Sequence, residues 1–454
     1  MLKGLTGAFK VVPPSKTKIT DPNDIKKTYR RWRWRMFYSL YLGYVVYYFT
    51  RKNISAVLPV FSEELGMSLV DLGILGSVFY VTYGIGKFLS GLLADRSNVR
   101  VFMAFGLLLS SIINIFFGFI QTLWLLTFFW GLNGAFQSMG FPPVARGLVH
   151  WFSSEERATK WTIWSSSHTA GTFFVGLLVA FLLKYVGWRS AFYVPGIIGV
   201  VTSLFLLNRL RDRPVSLGLP PIEEYHGHVP PVVAEKGLGH FQILKKYVFG
   251  NPYIWALCFA YIFVYLVRFG TLDWATKFMY DVRGIAKVKV AIMWSIMPLF
   301  GMPGGIVAGY ISDKFFKGRC TPINIIYLLI LALSIFGFYK YAGMDNFYLT
   351  CFFLACIGFF VDGPQNLVGG VQISRITASE SVSAACGLSG LFGYIGAIIS
   401  GVGLAFVTEK FGWGAMYGVC IASCFIAAFL VALTWRKESA HLNEHRRRAQ
   451  ARGT

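Results

Sequence analysis

Charge is scarce in this chain, and negative charge is scarcer still. Only 14% of its 454 residues are charged, with 43 Lys and Arg against 21 Asp and Glu. A soluble protein of this length would carry about 25% charged residues, which argues against a soluble domain. All seven cysteines lie after residue 257, and none forms a CxxC pair. Cys351, Cys356, Cys420 and Cys424 sit inside apolar runs and read as small packing residues rather than disulfide partners or metal ligands. The sequence spells out no nucleotide loop, metal-ligand cluster or nucleophile triad. The chain is therefore not read as an enzyme, and no cofactor or metal is expected. No cleavable leader is expected either: the first 35 residues are polar and basic, and the apolar run after them is too long and lacks an A-x-A site.

What the chain has is hydrophobic length. Hydrophobic residues make up 55% of it, and the mean hydropathy is +0.55. Runs such as VFMAFGLLLSSIINIFFGFI (101–120) can cross a bilayer core of roughly 30 Å. Runs of this kind cross as helices, which satisfy their own backbone polar groups. Twelve segments are expected: 36–60, 70–93, 101–120, 123–150, 160–184, 189–208, 252–280, 289–311, 322–342, 346–373, 383–408 and 414–435. This gives an all-α membrane protein: a basic segment 1–35, a six-helix bundle 36–208, a linker 209–250, a second bundle 251–436 and a basic tail 437–454. The +22 formal charge would suggest nucleic acid in a soluble protein. Here KKTYRRWRWR, DRSNVR, RLRDR, DKFFKGR and the tail fall on one side of an alternating chain, so the positive-inside rule accounts for the charge and no nucleic-acid partner is expected. Both termini are expected in the cytoplasm; RGIAKVK at 283–289 is an exception to the pattern.

The two bundles are repeats. Tyr44, Tyr48 and Arg51 in helix 1 match Tyr261, Tyr265 and Arg268 in helix 7, each pair 217 residues apart. Gly91-x-x-x-Asp95-Arg96 after helix 2 matches Gly309-x-x-x-Asp313-Lys314 after helix 8. Pro142 answers Pro364, and Gly187-Trp188 answers Gly412-Trp413. Six spans per repeat make the repeats parallel, related about the membrane normal. This is the architecture of the major facilitator fold, whose substrate site lies near the midplane.

Arg51 lies about fifteen residues into helix 1, roughly 22 Å along its axis, and Arg268 is at the equivalent depth. A central Arg costs ~2.5–3.5 kcal/mol on insertion scales. The bland alternatives are a partner acid or snorkelling. No acid shares the face of Arg51, and Asp273 is five residues past Arg268, off its face. Such a pair wants an anion from outside, and the planar guanidinium matches phosphate oxygens two at a time. Tyr44, Tyr47 and Tyr48 share the face of Arg51, as Tyr261 and Tyr265 share that of Arg268; they offer hydroxyls to a substrate, or pack. Lys87, with Tyr80 and Tyr83 on its stripe, is a third cation if it does not snorkel to the interface. His168 titrates near the second phosphate ionisation, or is a satisfied core histidine. Asp362, Gln365 and Asn366 share one face of helix 10 and suit sugar hydroxyls; Asn133 and Gln137 form a similar pair in helix 4. Asp95–Arg96 and Asp313–Lys314 are expected to gate, pairing with basic helix ends in one state only.

The motifs YYFTRKN, YGIGKFLSGLLADRSN, GFPPVARGLVHWF, SSSHTAG, RDRPVSLGLPPIEEY, NPYIWALCFAYIFVYLVRFGTLDW and GLSGLFGYIG resemble those of the organophosphate:phosphate antiporters over nearly the whole chain. The likeness is greatest to the hexose-phosphate branch, which includes a sensor-like member. It implies that Arg51 and Arg268 bind phosphate and that Lys87 and His168 match the family's lysine and histidine. Where relatives often carry an apolar or aromatic residue before the GPQ of helix 10, this chain has Asp362. The expected function is exchange of a sugar phosphate, glucose-6-phosphate first, for inorganic phosphate across the bacterial inner membrane, by a monomer. A sugar-phosphate receptor that signals to a kinase, or a glycerol-3-phosphate carrier, would have much the same site.

Overall fold

Two helix starts are written by a short polar cap followed by proline. Asp21 accepts from the Asn23 amide, with Pro22 next, and opens α1 (Pro22–Glu64). Asn251 accepts from the Tyr253 amide, with Pro252 next, and opens the equivalent helix of the second half. Both use the preference of Asp and Asn for the cap and of proline for the first turn. The computed structural model describes residues 9–67, 69–226, 235, 237–285, 287–343 and 347–438. The expected tail 437–454 lies almost wholly outside them.

The described residues are helical, with one isolated bridge between Lys10 and Ser97. After α1 come α2 (Leu69–Ala94), α3 (Val99–Phe117), α4 (Leu123–Gln137), α5 (Phe141–Trp151), α6 (Arg157–Ser165), α7 (Ser167–Tyr185) and α8 (Ser190–Arg209). The second half has α9 (Pro252–Asp281), α10 (Lys287–Lys314), α11 (Thr321–Tyr341), α12 (Phe347–Asn366), α13 (Val382–Ile398) and α14 (Leu404–Ala432). Helix 1 starts fourteen residues before the expected position, because the Asp21–Pro22 cap precedes a basic but helix-forming stretch; at 43 residues it is about 65 Å long. The expected fourth helix is two pieces, α4 and α5, broken just ahead of Pro142 and Pro143. Past Pro364, α12 passes into a π-helical turn at Leu367–Gln372. Gly412, at φ 80°, breaks α14 and separates the expected helices 11 and 12.

Among the described residues nine stretches are long and apolar enough to cross a membrane. The stretch 36–60 is not among them, because its tyrosines and the Arg51–Lys52 pair lower its hydropathy.

Two compact units form. The first comprises Met1–Phe152, Trp164–His226 and Glu380–Gly387; the second comprises Ser153–Ile163, Gly227–Ser379 and Leu388–Thr454. Their internal packing is the same. In the first, α3 lies on α8, α2 on α4, and α1 on α8; in the second, α11 lies on α14, α10 on α12, and α9 on α14. The first unit is cored by Phe61, Phe117, Trp130, Trp188 and Phe192, the Phe61 and Phe192 rings stacked at 5.9 Å. Phe278, Phe338, Tyr417, Cys420 and Cys424 centre the second. There α10 and α12 touch backbone to backbone: a Cβ on Gly304 would lie 2.0 Å from the Phe359 carbonyl oxygen, and one on Gly358 2.0 Å from that of Met297.

Backbone cannot yield as a side-chain tip can, so Gly358→Val should cost more than the ~1–3 kcal/mol of ordinary overpacking. It should leave little folded protein in detergent, as read by thermal unfolding. Gly343→Ala, with nothing within 4 Å of its new Cβ, should be neutral.

Candidate functional site

In the first unit α1 and α4 hold Arg51 between them. Arg51 is 8% exposed, and its Nε donates to Gln137 Oε1 at 3.3 Å. The Gln137 amide nitrogen faces the Tyr47 carbonyl at 3.1 Å and the Thr50 and Ser110 hydroxyls at 2.7 Å each. Ser110 donates to Asn133 Oδ1 at 2.6 Å, and Asn133 Nδ2 donates to the Thr50 carbonyl at 2.9 Å. Asn133 and Gln137 are fully buried. The structure thus gives them to a polar wall behind Arg51, with only Gln137 touching it. In front of the wall the guanidinium carbon lies 4.2 Å from the Tyr83 ring centroid and 4.9 Å from that of Tyr48. Desolvated cation–π contacts of this kind contribute up to about 2 kcal/mol each.

The rest of the expected set is placed unevenly. His168 stacks on Tyr48 at 5.2 Å and lies 5.0 Å from Tyr44, with the Trp164 ring edge-on at 5.3 Å. One aromatic wall therefore joins Arg51 to His168. Lys87 is buried, with Nζ 4.3 Å above the Phe141 ring. Tyr83 is buried, whereas Tyr80 is half exposed beside Phe79; the stripe Tyr80–Tyr83–Lys87 is split between environments.

In the second unit Arg268 has an acid after all. Its Nη1 is 3.0 Å from Asp362 Oδ1. The expectation of arginines without acids thus fails at Arg268. The partner comes from α12, which no reading of α9's own face could supply. Tyr261 donates to the Gln365 carbonyl at 3.0 Å, and its hydroxyl is 3.3 Å from that of Tyr265. Asp362 and Asn366 lie against α10, where Gly301 and Gly305 leave room for them.

Each loop aspartate meets a helix terminus. Asp95 accepts from the amides of Ser383 and Ala384 at 2.9 Å each, in the segment Glu380–Gly387 at the start of α13 that belongs to the first unit. Asp313 accepts from the Thr159 amide at 2.7 Å and from Arg375 at 3.2 Å. Arg96 and Lys314 are exposed, and the buried cations nearby are Arg146 and Arg375. Arg146 donates to the Ala94 carbonyl at 2.9 Å and lies 3.8 Å from Asp212, which accepts from the Val99 amide. Arg375 lies 3.8 Å from Glu438, which accepts from the Cys320 and Thr321 amides. These four residues were missed. Their signal was a lone acid inside each basic run, Asp212 in RLRDR and Glu438 in RKE. Among the described residues no group of His, Cys, Asp and Glu could hold a metal.

A family model described as Major Facilitator Superfamily matches residues 40–341. The chain is 39% identical over 95% of its length, and 98% of the relative's, to a "Probable hexose phosphate transport protein" of Chlamydia trachomatis. It is 38% identical over 93% of its length, and 97% of the relative's, to the "Membrane sensor protein UhpC" of Escherichia coli. The fold matches the E. coli fucose:proton symporter FucP with a TM-score of 0.68 at 12% identity, over 87% of this chain and 98% of that one. The chain belongs to the major facilitator superfamily, in its organophosphate:phosphate antiporter branch. It is a multi-pass membrane protein, and it is not an enzyme.

Burial pushes the Asp95 carboxyl up to about 7, against the pull of two amides and Arg146. A raised folded pKa means the contact binds its proton more tightly than an exposed carboxyl does. The contact is therefore fully stabilised below the ordinary value near 4 and loses that stability as pH rises through 7. Ser383→Cys should accordingly be labelled by a thiol reagent several-fold faster at pH 8 than at pH 6, after correction for thiolate fraction. Adding Asp95→Asn should flatten the profile.

Proposed function

We propose that this protein exchanges a sugar phosphate, glucose-6-phosphate in first place, for inorganic phosphate by alternating access in a bacterial inner membrane, with both termini cytoplasmic. The observation that carries the reading is Arg51: a buried guanidinium held by neutral oxygen and aromatic faces, in helices whose sequence holds no acid at that depth. The relative named as a hexose phosphate transport protein, 39% identical, supports the substrate class.

In this reading Arg51 holds the phosphate, with Lys87 adding charge and His168 and Tyr44, Tyr48 lining its approach; Arg268 is the matching phosphate-binding cation of the second unit. A phosphate monoester carries about −1.5 to −2 near neutral pH. The loaded site is then close to neutral, while the empty one keeps its positive charge. Enclosing an uncompensated charge away from water is costly, so the empty carrier changes state slowly and the loaded one quickly, which couples the two substrates. In the second unit Tyr261, Tyr265, Asp362, Gln365 and Asn366 supply the hydroxyl, amide and carboxylate groups that suit sugar hydroxyls. The contacts of Asp95 with the α13 amides and of Asp313 with Thr159 are the ones that part in the cycle. A receptor reading is favoured by one finding, the 38% identity to a membrane sensor protein; it keeps the binding site and drops the flux.

Vesicles reconstituted with the protein should take up labelled glucose-6-phosphate at least about tenfold faster when loaded with phosphate than when empty. Equal rates would contradict exchange, and binding without flux would favour the receptor. Arg51→Lys keeps the charge but loses the planar fork, so exchange should fall by about a hundredfold or more. Full activity of that variant would contradict the role of the fork.

A further inference from the structure

The two units meet charge differently. From Ile25 to Ser62, from Leu72 to Ser154 and from Arg157 to Arg211, Asp95 is the only acid. Arg51 thus stands in a stretch of sequence with no acid, and Lys87 in one whose single acid is Asp95. In the second unit Arg268 is 3.0 Å from Asp362, with the two side chains 27% and 20% exposed. A pair this accessible is open to a ligand. Its geometry is also built: Asp362 Oδ2 lies 2.7 Å from where a Cβ on Gly301 would be, so the carboxylate occupies space that only a glycine leaves. Three residues on in the same helix, Gln365 Oε1 is buried without a hydrogen-bond partner. A carboxylate and an amide oxygen are acceptors and call for donors. Hydroxyls supply them; a carboxylate or a second phosphate does not.

Resting on the reading of this region as an organophosphate site, we infer that Asp362 sets the charge of the substrate. It cancels Arg268 for anything beyond one phosphate, favours a phosphate monoester on a neutral polyol, and excludes esters that carry a second anionic group. A unit charge ~6 Å away at an effective dielectric of ~20 corresponds to roughly a hundredfold in affinity, and the solvent access of the pair lowers this to about tenfold.

The test is competition against labelled inorganic phosphate on the purified protein, with glucose-6-phosphate and 3-phosphoglycerate as competitors. Wild type should prefer glucose-6-phosphate. Asp362→Asn should raise the affinity for 3-phosphoglycerate relative to glucose-6-phosphate by about tenfold. Asp362→Glu should keep the wild-type ranking, and Gly301→Ala, which displaces the carboxylate without removing its charge, should shift the ratio the same way by less. Thermal unfolding identifies any variant that fails to fold; should Asp362→Asn fail, Gly301→Ala carries the test. An unchanged ratio in the folded variants, or an equal shift with Asp362→Glu, would overturn the inference while leaving the phosphate site standing. A wild-type protein that binds phosphate and neither ester overturns the substrate class, and one that binds no phosphate overturns the site itself.

Discussion

A guanidinium inside an apolar helix bundle loses its water and must be met by something else. Insertion scales put the cost of a central arginine at about 2.5–3.5 kcal/mol. In the first unit Gln137 supplies an amide oxygen and Tyr48 and Tyr83 supply ring faces, each of which lowers that cost without cancelling the charge. Much of the unit is arranged to permit this. Gln137 can turn its oxygen to Arg51 only because its nitrogen is engaged by Tyr47, Thr50 and Ser110, and those are fixed in turn by Asn133 and Asn114. Three helices, α1, α3 and α4, are tied together behind one side chain. The second unit uses another solution to the same problem, a carboxylate from α12 at 3.0 Å.

The same economy is repeated at the loop ends of the helices. Asp212 sits at the first amide of α3 and Glu438 at the first amides of α11, where the positive end of the helix dipole favours an anion. Arg146 and Arg375 stand beside them and reach the helix ends that carry Asp95 and Asp313. Each unit thus has a buried acid, a buried arginine and a loop aspartate in series. The arginines tie the fixed cap to the aspartate that grips a neighbouring terminus, which makes the latter contact sensitive to both.

The all-helical membrane architecture was legible because apolar length is a property of contiguous sequence. The repeat was legible because Tyr44, Tyr48 and Arg51 return as Tyr261, Tyr265 and Arg268 at constant spacing. Arg51 stood out as a charge in an apolar run. What could not be read depends on contacts between distant segments. The partner of Arg268 lies on another helix, and whether Asn133 looks toward a substrate or toward Thr50 and Ser110 is decided by packing, not by its face on a helical wheel. Tyr80 and Tyr83 differ by three residues, yet one is half exposed and the other is buried against Arg51. Helix interruptions were partly visible: prolines at 142 and 364 and glycine at 412 marked the places, but not the π-helical turn that follows Pro364.

The proposed exchange rests first on the binding of phosphate by Arg51. Thermal unfolding of the wild type and of Arg51→Met, each with and without inorganic phosphate, tests it most directly. A ligand that binds only the folded state raises its stability by mass action, and an apolar replacement removes a buried charge at little cost in packing. Phosphate should stabilise the wild type by several degrees and the variant not at all, with the variant at least as stable as the wild type when phosphate is absent. A variant several degrees less stable without phosphate, or one stabilised by phosphate as much as the wild type, would contradict it.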